Sequence, residues 1–190
     1  HMQRVDRAVA PGGAVRTTGR HLWPGSLIPK EAQSPEESAL FADWQAGIDA
    51  TMLVPDHAAP GSTVHAVARI HNVRAGHQVP TGDPERYLVV SLVATGSDGA
   101  VVARTDARIG QVWQWWPKAQ RLSDNRLAPG EIRDVPLDLV MPDQPVTVQL
   151  TVDHHRISAE TAAYHQLDGY PTRRRVAEAT QRVDTGETGR

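Results

Sequence analysis

The chain has 190 residues, of which 39% are hydrophobic, and a formal net charge of −2. This length allows one domain with extensions and a substantial core, and the balanced charge, with no basic stripe, argues against a nucleic-acid partner. The sequence has no cysteine, which excludes disulfides, thiolate metal ligands and a cysteine nucleophile. No apolar run reaches the roughly 18 residues that a membrane-spanning helix needs, so no membrane span is predicted.

The first segment, residues 1 to about 33, is predicted to be an irregular arm. Turn-forming residues interrupt it at Pro11-Gly12-Gly13 and Pro24-Gly25-Ser26. It lacks the charged and apolar regions of a signal peptide. His1-Met2 has the form of a cloning remnant, so we expect that a signal peptide or an upstream domain has been removed.

A short helix is predicted over residues 35–48. Ser34 is a good N-cap, Pro35 fits the first helical position, and Glu37 completes a capping box with Ser34. The apolar residues that follow recur at helical spacing and form one stripe, namely Ala39, Leu40, Phe41, Trp44 and Ile48.

From residue 62 onward the sequence has the two-residue alternation of β-strands. One face of each predicted strand is apolar: Val64, Ala66, Ala68 and Ile70, then Val135, Leu137 and Leu139, then Val146, Val148, Leu150 and Val152. Residues 86–95 and 100–105 form two further strands joined by the turn Gly96-Ser97-Asp98-Gly99. Short strands separated by glycine and proline turns favour a mainly β fold, an antiparallel β-sandwich.

The predicted organisation has three parts. Residues 1–60 form the N-terminal arm and helix packed on the sandwich, residues 61–155 form the sandwich, and residues 156–190 form a C-terminal extension. Ser158 is expected to cap a short helix that ends near Leu167, and the polar tail is expected to fray at its end.

One inter-strand loop, residues 72–82, presents a single histidine, His77. Gly76 precedes it and is expected to let the backbone approach a neighbour closely, while Pro80 and Gly82 stiffen and turn the return path. A rigid loop that holds out one imidazole suits an axial ligand of haem iron. The alternative is that His77 only bonds to loop carbonyls and closes one end of the sandwich.

The sequence of this loop, N-V-R-A-G-H-Q-V-P-T-G, resembles the N-x-G-A-G-H-x-x-P-T-G loop in the C-terminal Ig-like domains of multihaem c-type cytochromes. Residues 19–26 resemble, more weakly, the family's S-H-R-F-x-G-G segment, and Leu127-Ala128-Pro129-Gly130-Glu131 resembles its L-x-P-G-E turn. The similarity covers most of residues 19–155. Two features depart from the family: Arg74 replaces a glycine, and the C-x-x-C-H motifs that attach haem are absent.

The resemblance implies an Ig-like sandwich and a non-catalytic accessory module that docks on a haem-bearing electron-transfer partner. The partner is expected to be a multihaem cytochrome or another redox protein, or a removed haem domain. His77 and His21 match positions where the family places histidines near haem. Because no haem can attach covalently here, haem c would come from the partner or from the removed domain. The alternative is that these histidines are relics in a module that lost its haems. The implied location is the bacterial periplasm or the cell surface.

A tryptophan-rich segment, Trp113-Gln114-Trp115-Trp116, is the second candidate contact surface. In a regular strand Trp113 and Trp115 share one face, and Trp116 points elsewhere. Together with Pro80, the three tryptophans are predicted to contact a partner or ligand. Exposed tryptophans of this kind also serve carbohydrate binding, so a carbohydrate-binding β-sandwich is the alternative function. A simple role in covering the end of the sandwich is the other interpretation.

Three further histidines, His154, His155 and His165, are weak candidates for a zinc or copper site, with ordinary surface histidines as the alternative. Metal binding by the sandwich is therefore a second form of the alternative function. The sequence contains no G-x-S-x-G, phosphate-binding loop or H-E-x-x-H motif. No catalytic residue and no enzymatic activity are predicted.

Overall fold

The computed structural model describes residues 4–19, 28, 34, 35, 39 and 46–186. These residues form eleven strands and one short helix. In chain order they are β1 (Arg4–Ala8), β2 (Val15–Gly19), β3 (Asp49–Leu53), β4 (His57–Ala58), β5 (Thr63–His71), β6 (Tyr87–Gly96), β7 (Val101–Gln114), β8 (Gln120–Asp124), β9 (Ile132–Val140), β10 (Val146–His155), α1 (Ala159–Tyr164) and β11 (Arg173–Thr185). Within this part of the chain, no helix has the length and apolar character of a membrane span.

Two sheets form the body of the protein. The larger has the strand order β4-β11-β10-β6-β7-β8, and the smaller has the order β3-β5-β9. All neighbouring strands in them are antiparallel except β4 and β11, which are parallel. The prediction of a mainly β, antiparallel sandwich is therefore confirmed.

The core lies between the two sheets and is built from the alternating apolar residues of the sequence. The inward residues of β5, β6, β9 and β10 are all buried and belong to one cluster. Ala66 and Ala68 in β5 are fully buried, and their small side chains leave room for larger residues such as Leu92 and Leu150 from the facing sheet. Each large aliphatic side chain removed from water in this way contributes about 1.5–3 kcal/mol.

The N-terminal arm differs from its prediction, because residues 4–19 are not irregular. β1 and β2 pair as an antiparallel hairpin, in register from Arg4 opposite Gly19 to Ala8 opposite Val15. Gly12, with φ of 74°, lies in the connecting turn. Both strands are largely exposed, so no apolar face marked them in the sequence.

The predicted helix over 35–48 lies mostly outside the described residues. Pro35 and Ala39, which are described, are helical, and the chain has left the helix by Ala46. Ile48, the last residue of the predicted stripe, is buried in the core of the sandwich. The second predicted helix is confirmed: Ser158 caps α1, and its Oγ accepts a hydrogen bond from the Thr161 amide at 2.9 Å.

The C-terminal region also differs from its prediction. Arg173–Thr185 is predicted to lie in an extension packed on the sandwich, but it is a strand of the large sheet, β11, paired with the whole of β10. Val183 is fully buried opposite Val146. The inward positions of β11 otherwise carry small residues such as Ala177 and Ala179, and its outward positions are charged or polar, so the sequence lacks the strong apolar alternation of the other strands.

Candidate functional site

The candidate site is one end of the sandwich, which we call the loop end. It comprises the loop of residues 72–86 between β5 and β6, the hairpin formed by the end of β7 and β8, and the last residues of β10. Strand register brings these together, because Tyr87, the first residue of β6, lies opposite Gly110 in β7 and opposite His155 in β10.

Asn72 fixes the loop to the rest of the loop end. Its side chain is buried, and Nδ2 lies within hydrogen-bonding distance of three carbonyl oxygens, those of His77 (2.9 Å), Leu127 (3.1 Å) and Ala128 (2.9 Å). Val79 and Leu127 also exchange two backbone hydrogen bonds of 2.9 Å. The loop is therefore held from within and from the neighbouring segment.

His77 is exposed on this fixed loop, as predicted for a residue held out from the fold. Its carbonyl is held by Asn72, and its ring Nδ1 lies 3.0 Å from the carbonyl oxygen of Gln78. A carbonyl can only accept, so Nδ1 donates and the lone pair of the neutral ring lies on Nε2. Metal-ligating histidines in proteins commonly donate from one ring nitrogen to such an acceptor.

The two glycines flanking His77 have different roles. Gly82 has φ of 88°, a conformation that favours glycine, and a Cβ there would lie 2.7 Å from Nη1 of Arg86, so a larger residue would also displace the end of that side chain. Gly76 does not have a left-handed φ, and a Cβ there would meet no atom within 4 Å. The expected close backbone approach at Gly76 is therefore wrong, and the close approach occurs at Gly82 instead.

The tryptophan segment extends beyond the end of the sandwich. β6 begins opposite Gly110, but β7 continues through Gln114 and pairs there only with β8. Four strand residues span about 13 Å, so the hairpin projects past the core by about that distance. In β8 the register shifts so that Leu122 is an extra, exposed residue.

Trp113 and Trp115 lie on one face of this projection, as predicted. Their rings stack with centroids 5.3 Å apart and planes 11° apart, and Trp113 Nε1 donates to Gln111 Oε1 at 2.9 Å. Trp115 is 51% exposed and Trp116 83% exposed. Pro80, predicted to contact a partner, is buried and shapes the loop from within.

Buried polar groups are concentrated at the loop end. Asn72 and Gln111 are the buried polar residues among those described. Among the described residues, three buried polar side-chain atoms have no hydrogen-bond partner, and all three lie at the loop end: Asn72 Oδ1, Arg86 Nε and His154 Nε2. Native proteins rarely leave such atoms unpaired, so each of the three calls for an explanation.

His154 lies on the core side of β10, and burial, with the nearby Arg86 and His155, lowers its pKa from 6.5 to about 4. It is therefore neutral at physiological pH. Sequence analysis missed Arg86 and the burial of His154. The sequence did indicate that both side chains face the core, because His154 has the same strand parity as the inward Val152, and Arg86 has that of Leu88.

His155 lies on the opposite face of β10 from His154. It stacks on Tyr87 with ring centroids 4.6 Å apart, and Arg108 covers the same tyrosine with its guanidinium carbon 4.3 Å from the ring centroid. Burial is the main cause that lowers the pKa of His155, and burial raises the pKa of Tyr87. This stack forms the outer surface of the sheet at the loop end.

The candidate metal ligands are not gathered into a site. His154 and His155 face opposite sides of the sheet, and His165 is exposed at the end of α1. Among the described residues, no three His, Cys, Asp or Glu side chains are placed to hold a metal ion together. His21, the second candidate haem ligand, lies outside the described residues.

No protein-family model matches the sequence, and no curated protein matches it. Among solved structures, the chain matches a penta-heme cytochrome c552 from Thermochromatium tepidum with a TM-score of 0.60 and 16% identity. The fold is similar to that of this cytochrome. The match covers 93% of this chain but only 53% of the cytochrome, so the chain spans about half of its length.

Two further structural similarities are much lower. A glycosyl hydrolase family 2 member from Bacteroides cellulosilyticus has a TM-score of 0.34 at 9% identity, and the match covers 71% of this chain and 13% of the hydrolase. A PapD-like domain of human CEP192 has a TM-score of 0.30 at 10% identity, and the match covers 89% of this chain and 99% of that domain. Similarities at this level carry no information on function.

Proposed function

We propose that this chain is a non-catalytic docking module for a haem-bearing electron-transfer partner, a multihaem cytochrome or a haem domain once joined to it. We further propose that it works in the bacterial periplasm or at the cell surface. The observation that carries the proposal is the fold similarity over 93% of the chain to part of a penta-heme cytochrome. The resemblance of the 72–82 loop to the cytochrome family supports it independently, because that resemblance was found in the sequence alone.

The proposed contact is the loop end, with His77 at its centre. Asn72 and the Val79–Leu127 pairing hold the loop in place before any partner arrives, so little ordering entropy is lost on docking. When bound, haem of the partner supplies the redox chemistry. His77 would approach the haem iron with Nε2, the ring nitrogen that carries the lone pair when Nδ1 donates to Gln78.

The projecting hairpin provides the second part of the proposed contact. Trp113 has the same strand parity as the buried Ile109 and Gln111 of β7. Trp115 follows β7, and its ring stacks on that of Trp113. The two tryptophans therefore give the projecting hairpin an aromatic surface. Large aromatic side chains in such positions contribute strongly to protein interfaces because they bury apolar area with little loss of side-chain entropy.

The proposal is tested with a ferric haem c peptide that has one open axial position. On titration with the chain, we expect a shift of the Soret band to that of a histidine-ligated haem. The shift is expected to be lost in His77→Ala and retained in His65→Ala and His165→Ala, which remove two other exposed histidines. An unchanged Soret band, or an equal shift in His77→Ala, would refute a role of His77 in haem contact.

Carbohydrate binding is a second candidate function, favoured by one observation. Trp115 packs against Trp113 on one face and is 51% exposed, so its other face is available for stacking on a sugar ring. Tryptophan fluorescence with a panel of soluble glycans separates the two functions. A saturable change in fluorescence that Trp115→Ala abolishes, with no Soret shift for the haem peptide, would favour carbohydrate binding.

A further inference from the structure

The loop end contains three arginines that have no carboxylate partner among the described residues. Within residues 46–186, nine arginines lie within ion-pair distance of a carboxylate, namely Arg69, Arg74, Arg104, Arg121, Arg126, Arg133, Arg173, Arg175 and Arg182. In the same part of the chain, Arg86, Arg108 and Arg156 have no carboxylate at that distance. All three are at the loop end, since Arg86 precedes β6, Arg108 contacts Tyr87 and Arg156 follows β10.

Two of these arginines are compensated in other ways. Arg108 lies over the ring of Tyr87, and Arg156 donates from Nη1 to the carbonyl of Ile28 at 2.9 Å and lies 5.4 Å from the ring centroid of Tyr170. Arg86 has only a long hydrogen bond of 3.3 Å, from Nη1 to the carbonyl of Thr81. Arg86 is therefore the least compensated of these three arginines.

Two nitrogen atoms of Arg86 are unpaired among the described residues. Nε is buried without a partner, and Nη2 makes no hydrogen bond to a described residue, while Nη1 is held against the Gly82 backbone. Nε and Nη2 together form the edge of a guanidinium that takes a carboxylate side-on through two parallel hydrogen bonds. The edge that remains unused is thus the one suited to bidentate carboxylate binding.

Among the described residues, Arg86 has no carboxylate within ion-pair distance, and it lies near His154 at the end of β10. Nε2 of His154 is buried nearby without a partner. Burial is the main cause that lowers the pKa of both adjacent histidines. Arg86 adds to this effect for His154, while for His155 the Asp153 charge opposes it and Arg173 and Arg108 add to it. A carboxylate beside Arg86 would meet a guanidinium that favours its charge.

We propose that Arg86 is a carboxylate-binding residue whose Nε–Nη2 edge receives one carboxylate of a ligand docked at the loop end. The source of the carboxylate is either a propionate of haem or an acidic side chain of the partner protein. The assignment of the source rests on the proposed function, but carboxylate binding by Arg86 does not.

The first experiment uses sodium acetate as the probe and sodium chloride at equal ionic strength as its control, at about pH 6, where acetate is ionised. Binding is read by NMR at the Arg86 side-chain Nε–H and at the ring protons of His154. We expect a saturable shift of both signals with acetate and little change with chloride. Arg86→Gln removes the positive charge, and Arg86→Lys keeps the charge but lacks the two parallel N–H donors. Both variants should therefore lose the His154 response. Arg182→Gln, which alters an exposed arginine paired with Asp184, should keep it.

Three results would overturn the proposal. They are equal responses to acetate and chloride, a response that persists in Arg86→Gln, and no response to acetate. In the last case, a scalar coupling between Arg86 Nε–H and His154 Nε2 would show that the two unpaired atoms bond to each other inside the protein.

The second experiment assigns the source and uses the haem c peptide with free or methyl-esterified propionates. Weaker binding of the ester, in the wild-type chain but not in Arg86→Gln, assigns the carboxylate to haem. Equal binding of the two peptides, with acetate binding established, assigns it to an acidic side chain of the partner. A failure of His77→Ala to change the Soret band would refute the proposed haem contact and leave the acetate result standing.

Discussion

Acidification is expected to destabilise the fold through His154. Burial is the main reason that its pKa is about 4 in the folded protein, compared with 6.5 ordinarily. Between these values the unfolded chain binds a proton on His154 and the folded chain does not, so the free energy of unfolding falls as pH is lowered through this window. The two values correspond to a loss of about 2 kcal/mol between about pH 7.5 and about pH 5, and about 3 kcal/mol by about pH 4. His155, whose pKa is also lowered, adds to the loss in the same direction.

The assay is urea unfolding, followed by tryptophan fluorescence, across this pH range. Measurements stay above about pH 5, because Asp106 and Asp124, whose pKa values are lowered mainly by hydrogen bonds from Arg104 and Arg126, lose their ion pairs only under more acidic conditions. His154→Leu replaces the buried ring with an apolar side chain beside the core. We expect this variant to lose about 2 kcal/mol of the pH dependence.

The matched control is His165→Gln, because His165 is exposed at the end of α1. It should keep the wild-type slope of stability against pH. If His154→Leu also keeps the full wild-type slope, the pH dependence comes from other groups, and the burial of a neutral ring at this position is refuted.

Two further predictions concern the backbone. Gly82→Ala is expected to lower the free energy of unfolding by about 1–3 kcal/mol, because φ is positive there and the new Cβ meets Nη1 of Arg86. Gly76→Ala should leave stability unchanged, because a Cβ there meets no atom within 4 Å. Equal melting temperatures for the two variants would contradict this difference. Ending the chain before β11 should abolish folding, since the deletion unpairs the whole of β10 and removes Val183 from the core, a loss comparable to the 5–15 kcal/mol that stabilises a typical domain. A truncated chain that ends at Pro171 and still gives a cooperative unfolding transition by circular dichroism would show that β11 is dispensable.

The sandwich could be predicted where one face of a strand is apolar. The alternation from Val146 to Val152 and from Val64 to Ile70 reports burial directly, and these strands are where the sequence places them. β11 was missed because its inward positions are mostly small and its outward positions are polar. The β1–β2 hairpin was missed for a related reason, since both of its faces are exposed.

The candidate site was predictable only in part. Glycine and proline around His77 indicated a shaped, exposed loop, and the spacing of Trp113 and Trp115 indicated a common face. The proximity of Arg86 to His154 depends on β6 pairing with β10, a register that connects residues far apart in the chain. Strand parity indicates that both side chains point inward, but it does not show that they lie near each other.

The anchoring of the 72–82 loop by Asn72 has a practical consequence. One amide side chain, together with the Val79–Leu127 pairing, sets the path of the loop, while residues 76–78 between these anchors are exposed. Their identities can therefore be randomised in a display library without disturbing the hydrophobic interior. The same frame that presents one imidazole would serve as a scaffold for grafted recognition sequences.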